Sequence, residues 1–120
     1  MASTLTAYIP NSKITTVTMS GGFIDTTSYL TRIGDLGVGS ILTLGSGFII
    51  GQLKKIQASG DDGVFTGPTT VSGQHFLDGP PQEIVFIDLG DTAELMWTRR
   101  GWRVISLSNS LGNDLTPTIS

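Results

Sequence analysis

Gly90-Asp91-Thr92-Ala93-Glu94-Leu95-Met96-Trp97-Thr98-Arg99-Arg100-Gly101-Trp102-Arg103-Val104-Ile105-Ser106-Leu107 is the stretch whose reading decides the fold class. It reads as two alternating strands folded back on each other, with a tryptophan on each arm and an Arg-Arg-Gly turn between them. Ala93, Leu95 and Trp97 share one face. Either a two-residue Arg100-Gly101 turn or a four-residue 98–101 loop sets them opposite Trp102, Val104 and Ser106. That face is expected in the core, each tryptophan burying on the order of 200 Å². The other face carries Thr92, Glu94, Met96, Arg103, Ile105 and Leu107, so it is not purely solvent-facing. Apolar residues on both faces of so small a sheet point to a neighbouring subunit, with Met96, Ile105 and Leu107 as the candidate seam.

Working outward, Glu83-Ile84-Val85-Phe86-Ile87-Asp88 is a strong strand, apolar on both faces and therefore central, with Ile84 and Phe86 in the expected core. Ile14–Met19, Ile41–Leu44, Val64–Thr66, Thr69–Val71 and His75–Leu77 read as further short strands, separated by Gly, Pro, Ser and Asp turns. Phe23–Leu30 is a weaker candidate, interrupted by Asp25-Thr26-Thr27-Ser28. Phe48–Gln57 follows Gly45-Ser46-Gly47, and its Lys54 and Lys55 suggest an edge strand, where lysine discourages stray pairing. No helical periodicity of useful length occurs. The expectation is an all-β protein, a compact antiparallel β-sandwich or prism-like barrel. A single β-domain over 13–107 would lie between a polar N-terminal arm (1–12) and a polar C-terminal tail (108–120).

Composition bounds the function. At 120 residues the chain makes one domain, burying roughly 65% of its unfolded surface. Charged residues are 14% of the chain, against ~25% in an ordinary soluble domain. Such a surface belongs either to a subunit partly hidden in an assembly or to a Ser/Thr-coated monomer. The net charge of -3 argues against binding nucleic acid through its phosphates. Zero cysteines remove disulfide frameworks, Cys-based zinc sites and thiol catalysis. Met1–Ala7 has neither the basic nor the apolar region of a signal peptide, and Ile41–Ile50 is too short and too glycine-broken to span a bilayer. A soluble protein without membrane contact is expected.

No constellation for chemistry stands out. His75 is the only histidine, and no motif sets a nucleophile beside it. Asp61-Asp62, Asp78, Asp88 and Asp91 could offer oxygen ligands to calcium, but their spacing is not that of an EF-hand, and Asp before Gly is ordinary turn chemistry. Gly34, Gly37, Gly39, Gly45 and Gly47 are not followed by the lysine and helix of a phosphate loop. Arg99, Arg100 and Arg103 form the one basic cluster. It is either a solvated turn or a docking patch for an acidic protein surface or glycan. The two tryptophans could stack a sugar, although at the inner face of a hairpin they read first as core.

Gly51-Gln52-Leu53-Lys54-Lys55-Ile56, then Ile84–Trp97, then Gly101-Trp102-Arg103-Val104-Ile105-Ser106 together resemble small β-domains of virion structural proteins from tailed phages and large algal viruses. There a Gly-Gln-hydrophobic-Lys strand precedes a Gly-Asp-Ser/Thr-x-x-Leu-x-Trp strand and a closing Gly-Trp-x-Val-Ile strand. The resemblance covers residues 51–107, about half of the chain. It implies a fibre head, a spike or a capsid decoration (cement) protein, usually a trimer, with no catalytic residues and no cofactor to carry over. Arg99-Arg100 departs from the neutral polar turn usual in the family. The resulting expectation is a non-enzymatic homotrimer, made in the host cytoplasm and carried on the capsid surface, bound to the major capsid protein or another virion protein. The alternative is a fibre or spike head that binds a host glycan or receptor.

Overall fold

The computed structural model describes residues 14–73, 83–112 and 116–119. The expected arm over 1–12 and the His75–Leu77 strand lie outside them. Ten strands and no helix occur among the described residues: β1 (Ile14–Val17), β2 (Phe23–Ile24), β3 (Leu30–Ile33), β4 (Ser40–Leu44), β5 (Leu53–Ala58), β6 (Thr69–Gly73), β7 (Glu83–Phe86), β8 (Asp91–Thr98), β9 (Gly101–Asn109) and β10 (Thr118–Ile119). They form two five-stranded sheets, ordered β1-β3-β5-β8-β9 and β10-β7-β6-β4-β2. The protein is an all-β sandwich.

The expected antiparallel pairing holds only for the second half of the chain. From β1 to β6 successive strands alternate between the two sheets, so that β1, β3 and β5 pair in parallel in one sheet and β2, β4 and β6 in parallel in the other. The first half is thus a flattened parallel coil of three turns, its strands joined by arches across the sandwich. From β7 onward every pairing is antiparallel. The polar tail does not stand apart from the domain at residue 108, because β9 runs to Asn109 and Thr118–Ile119 pair with Val85–Ile84.

Local chemistry explains the breaks. Phe23–Leu30 is not one strand, because Asp25 Oδ1 accepts both the backbone N–H (2.8 Å) and the hydroxyl (2.7 Å) of Thr27, turning the chain within an Asx-type loop. Leu30 instead opens β3, which alternates with Thr31 and Ile33 inward and Arg32 outward. Val64–Thr66 is no strand either; Asp61 and Val64 exchange backbone hydrogen bonds that close a tight turn, with Asp62 at φ 48°.

The core between the sheets consists of Ile24, Ile33, Leu42, Leu44, Ile56, Ala58, Val71, Ile84, Phe86, Ala93, Leu95 and Trp102, all buried. Trp97, Val104 and Leu107 are partly buried and pack against it. Leu107 therefore departs from the outward seam on which strict alternation puts it. The cause is a β-bulge: Glu94 pairs with Ser106 but Leu95 pairs with Val104, leaving Ile105 as the extra residue on β9. One extra residue inverts the alternation beyond it, so Leu107 turns inward beside Ala93 while Ser106 turns outward. Of the three seam candidates, Ile105 is exposed and Met96 half-buried on the outer face.

Candidate functional site

The strand directions gather the loops at two ends of the sandwich. One end holds the β8–β9 turn, the β2–β3 arch (25–29) and the β4–β5 arch (45–52). Trp97 pairs directly with Trp102, the register of the 98–101 alternative, and Thr98 pairs with Gly101 inside it. Arg99-Arg100 alone make the turn. Neither arginine has a positive φ, whereas Gly101 sits at φ 121°, which relieves the twist a side chain would resist. Arg99, Arg100 and Arg103 are exposed.

Behind this tip the two indoles meet edge to face, with ring centroids 5.2 Å apart and planes at 62°. Trp102 is fully buried and its Nε1 donates to the Gly45 carbonyl at 2.6 Å. Gly47 lies so close over the Trp97 ring that a Cβ there would clash with it. The Gly51 N–H donates to the Trp97 carbonyl, and the Trp97 N–H to the Gln52 carbonyl, each at 2.8 Å. Buried Gln52 joins the arches: its Nε2 donates to the Thr26 carbonyl and its Oε1 accepts from the Phe48 N–H, both at 2.7 Å.

This scaffold holds Phe48, Ile49 and Ile50 outward, at 61%, 49% and 42% exposure. The sequence had placed them inside a long strand from Phe48 to Gln57. They instead form a turn, with the Gln52 N–H donating to the Ile49 carbonyl at 2.9 Å, and only Leu53–Ala58 continue as strand. Three exposed apolar side chains beside an Arg-Arg turn form the surface feature that sequence reasoning missed. The signal available was Gly47 and Gly51 bracketing the apolar triplet, which marks a loop as readily as a strand.

The opposite end is acidic. Its loops 34–39, 59–68 and 87–90 hold Asp35, Asp61, Asp62 and Asp88, and no lysine or arginine. Asp35 Oδ1 accepts the Thr66 N–H at 2.8 Å. Asp91 is buried; its carboxylate accepts the Ile87 and Asp88 N–H groups and the Asn109 side-chain amide, each at 3.0 Å, so it closes the β7–β8 connection as a turn residue. Among the described residues, no three His, Cys, Asp or Glu side chains come together as a metal site. Asp78 and His75 lie outside the described residues.

A second polar feature is internal. β5 lies in the middle of its sheet, not at an edge, and Lys54 points inward at 0% exposure. Its ammonium donates to the Ser28 carbonyl (3.0 Å), Ser28 Oγ (3.2 Å) and Thr31 Oγ1 (2.6 Å). Thr15 Oγ1 closes the ring against Ser28 Oγ (3.1 Å) and Thr31 Oγ1 (2.7 Å). Burial pushes the Lys54 ammonium down to about 8, opposed weakly by the Asp25 carboxylate. Serine beside a lysine of depressed pKa is the make-up of a nucleophile–base pair. Here, however, Ser28 is also buried, and all three ammonium protons already have acceptors, so the ring tethers β1, β3 and β5. On the outer face of the same sheet, the Tyr29 hydroxyl donates to Glu94 Oε2; burial, and then Glu94, push the phenol up to about 12.

With these two ends and the polar ring described, no protein-family model and no curated protein matches the chain.

Proposed function

We propose that the chain is a virion structural protein, a homotrimeric decoration or cement protein on a capsid surface that contacts the major capsid protein or another virion protein. The observation that carries this reading is the apolar surface of a charge-poor chain. Phe48, Ile49, Ile50 and the bulge residue Ile105 stand exposed, and a subunit or capsid contact would cover them. The resemblance over residues 51–107 points the same way. Met96 and Ile105 remain the proposed seam on the outer face of β8–β9, while Leu107 belongs to the core.

Burial of the tryptophans weakens the fibre-head alternative. Trp102 offers no ring face to a sugar, and Gly47 covers part of Trp97. Mass measurement of the purified protein tests the assembly reading: a trimer at micromolar concentration supports it, and a monomer counts against it. Imaging of virions with antibody against this chain tests the location.

A further inference from the structure

We propose that the two loop ends of the sandwich are complementary docking surfaces, through which one copy of the chain binds the next head to tail. This specifies the self-contact that the assembly reading calls for, and rests on that reading only for the number of copies.

At one end, Phe48, Ile49 and Ile50 project from the arch bonded to Trp97, next to the turn that carries exposed Arg99 and Arg100, with Arg103 just behind on β9. Asp25, bonded to Thr27, lies in the loops of this end and exposed Glu83 opens β7 there, so among the described residues three arginines face two carboxylates. At the other end, the loops hold Asp35, Asp61, Asp62 and Asp88 and no cation, with exposed Arg32 just behind on β3, so carboxylates are in excess. That acidic end is not uniformly polar. Val64 and Leu111 are exposed there, and a shallow hollow of about 210 Å³ is lined by Ala58, Leu89, Gly90 and Leu111 with Gln57, Ser59 and Ser110. The ends thus complement each other: apolar knobs with an excess of cations against a partly apolar hollow with an excess of carboxylates.

The physical argument is charge separation along the strands. Two tips facing each other would oppose arginines, and two acidic ends would oppose carboxylates, whereas tip on acidic end pairs opposite charges around an apolar centre. Arginine adds planar, bidentate hydrogen bonding to carboxylates. Nucleic acid is a poor rival for the tip, since a net charge of -3 repels it. A bilayer would have to accept the Asp25 side of the same surface, whereas a second copy supplies the matching acids from the same polypeptide. Such a contact uses different surfaces on the two copies, so it closes into a ring or continues as an open chain according to the rotation between them.

Two variants and their mixture test the contact. The tip variant is Phe48→Ser with Arg99→Glu and Arg100→Glu. The acidic-end variant is Asp35→Asn with Asp61→Asn and Asp62→Asn, which removes charge without making a partner for the glutamates of the tip variant and suits position 62, at φ 48°. Circular dichroism and thermal melting identify folded variants; if the tip variant does not fold, Phe48→Ser with Ile49→Ser replaces it. Mass is measured at ~100 µM protein, in about 20 mM and about 500 mM salt.

The expected result is self-association of the unaltered chain that weakens at the higher salt, with either variant alone monomeric. Mixed in equal amounts, the variants retain one working tip and one working acidic end between them, so they should form a 1:1 dimer of twice the monomer mass and nothing larger. A mixture that stays monomeric, or a single variant that assembles like the unaltered chain, overturns the head-to-tail contact. A trimer that survives both variants leaves the assembly reading standing and removes this contact. A mixed dimer from a parent chain that does not form trimers does the reverse.

Discussion

The two halves of this molecule solve the same burial problem by different means. The antiparallel half packs Phe86, Leu95, Trp97, Trp102 and Val104 into an apolar and aromatic interior, with one indole N–H satisfied by a carbonyl. The parallel half has apolar residues too, but it buries Ser28, Thr31 and Lys54 in a polar ring closed by half-buried Thr15, and pairs Ser40 Oγ with Thr69 Oγ1 at 2.6 Å. Among the described residues, no buried side-chain nitrogen or oxygen lacks a hydrogen-bond partner. The difference is instructive. A hairpin is held locally by its own ladder and turn, so its interior can be apolar and driven by area. Paired residues of the coil stand 16 to 29 positions apart in the chain. A polar ring that is satisfied in only one arrangement fixes which strand lies beside which.

The largest expected effect breaks the antiparallel half. Trp102→Ala should cost about 3–5 kcal/mol, through lost burial and the cavity left behind. Urea unfolding measures it, and a loss below about 1 kcal/mol would mean that the indole is not the centre of that half.

Next comes the parallel half and its pH dependence. The Lys54 ammonium titrates at about 8 when folded against an ordinary 10.5, so between those values the unfolded chain holds more protons. Stability should therefore rise as pH increases from about 8 towards 10, by at most about 3 kcal/mol, because the cost of burying the charge disappears. Tyr29 acts in the opposite sense above pH 10: its folded pKa of about 12 keeps the proton that the unfolded phenol loses. The curve should turn over there. In Lys54→Met the rise between pH 8 and 10 should vanish; an unchanged rise would assign it to another group.

A third substitution tests where the halves meet. Gly47 belongs to an arch of the coil yet lies on the Trp97 ring of the hairpin. Gly47→Ala should destabilise by about 2 kcal/mol through overpacking, and should change the near-ultraviolet tryptophan signal. A loss of stability with an unchanged signal would place the strain in the arch alone. The smallest effect belongs to Thr15→Val, which removes the ring's hold on β1 and should cost about 1 kcal/mol. Hydrogen exchange should then quicken in Ile14–Val17 while β8 and β9 stay protected; equal quickening in both halves would deny that the ring acts locally.

How much of this was legible in the residues follows the same division. The Trp97/Trp102 face, the all-β class and the core placement of Ile84, Phe86 and Leu95 follow from alternation and turn chemistry, both local. The bulge at Ile105 was not readable, since alternation continues through Val104, Ile105 and Ser106 without a glycine or any other mark, and this cost the placement of Leu107. Lys54 was misread for a related reason. A lysine in a strand ordinarily seeks water at an edge, and its partners Ser28 and Thr31 stand more than 20 residues away, where spacing says nothing of contact. The exposed Phe48–Ile50 turn was hidden by its own β-branched, aromatic composition.

Read along the chain alone, the residues fold as strands, and the longest hairpin has a tryptophan face. Periodicity and composition suffice for these, because they depend on neighbours along the chain. The fold in three dimensions adds that half of the pairings are parallel, that a lysine is a core residue, and that arginines with an apolar triplet lie at one end and most of the loop aspartates at the other. Those outcomes depend on which distant strands share a sheet. Pairing of that kind is settled by the joint satisfaction of buried groups, a property of the whole assembly of contacts that no single segment records.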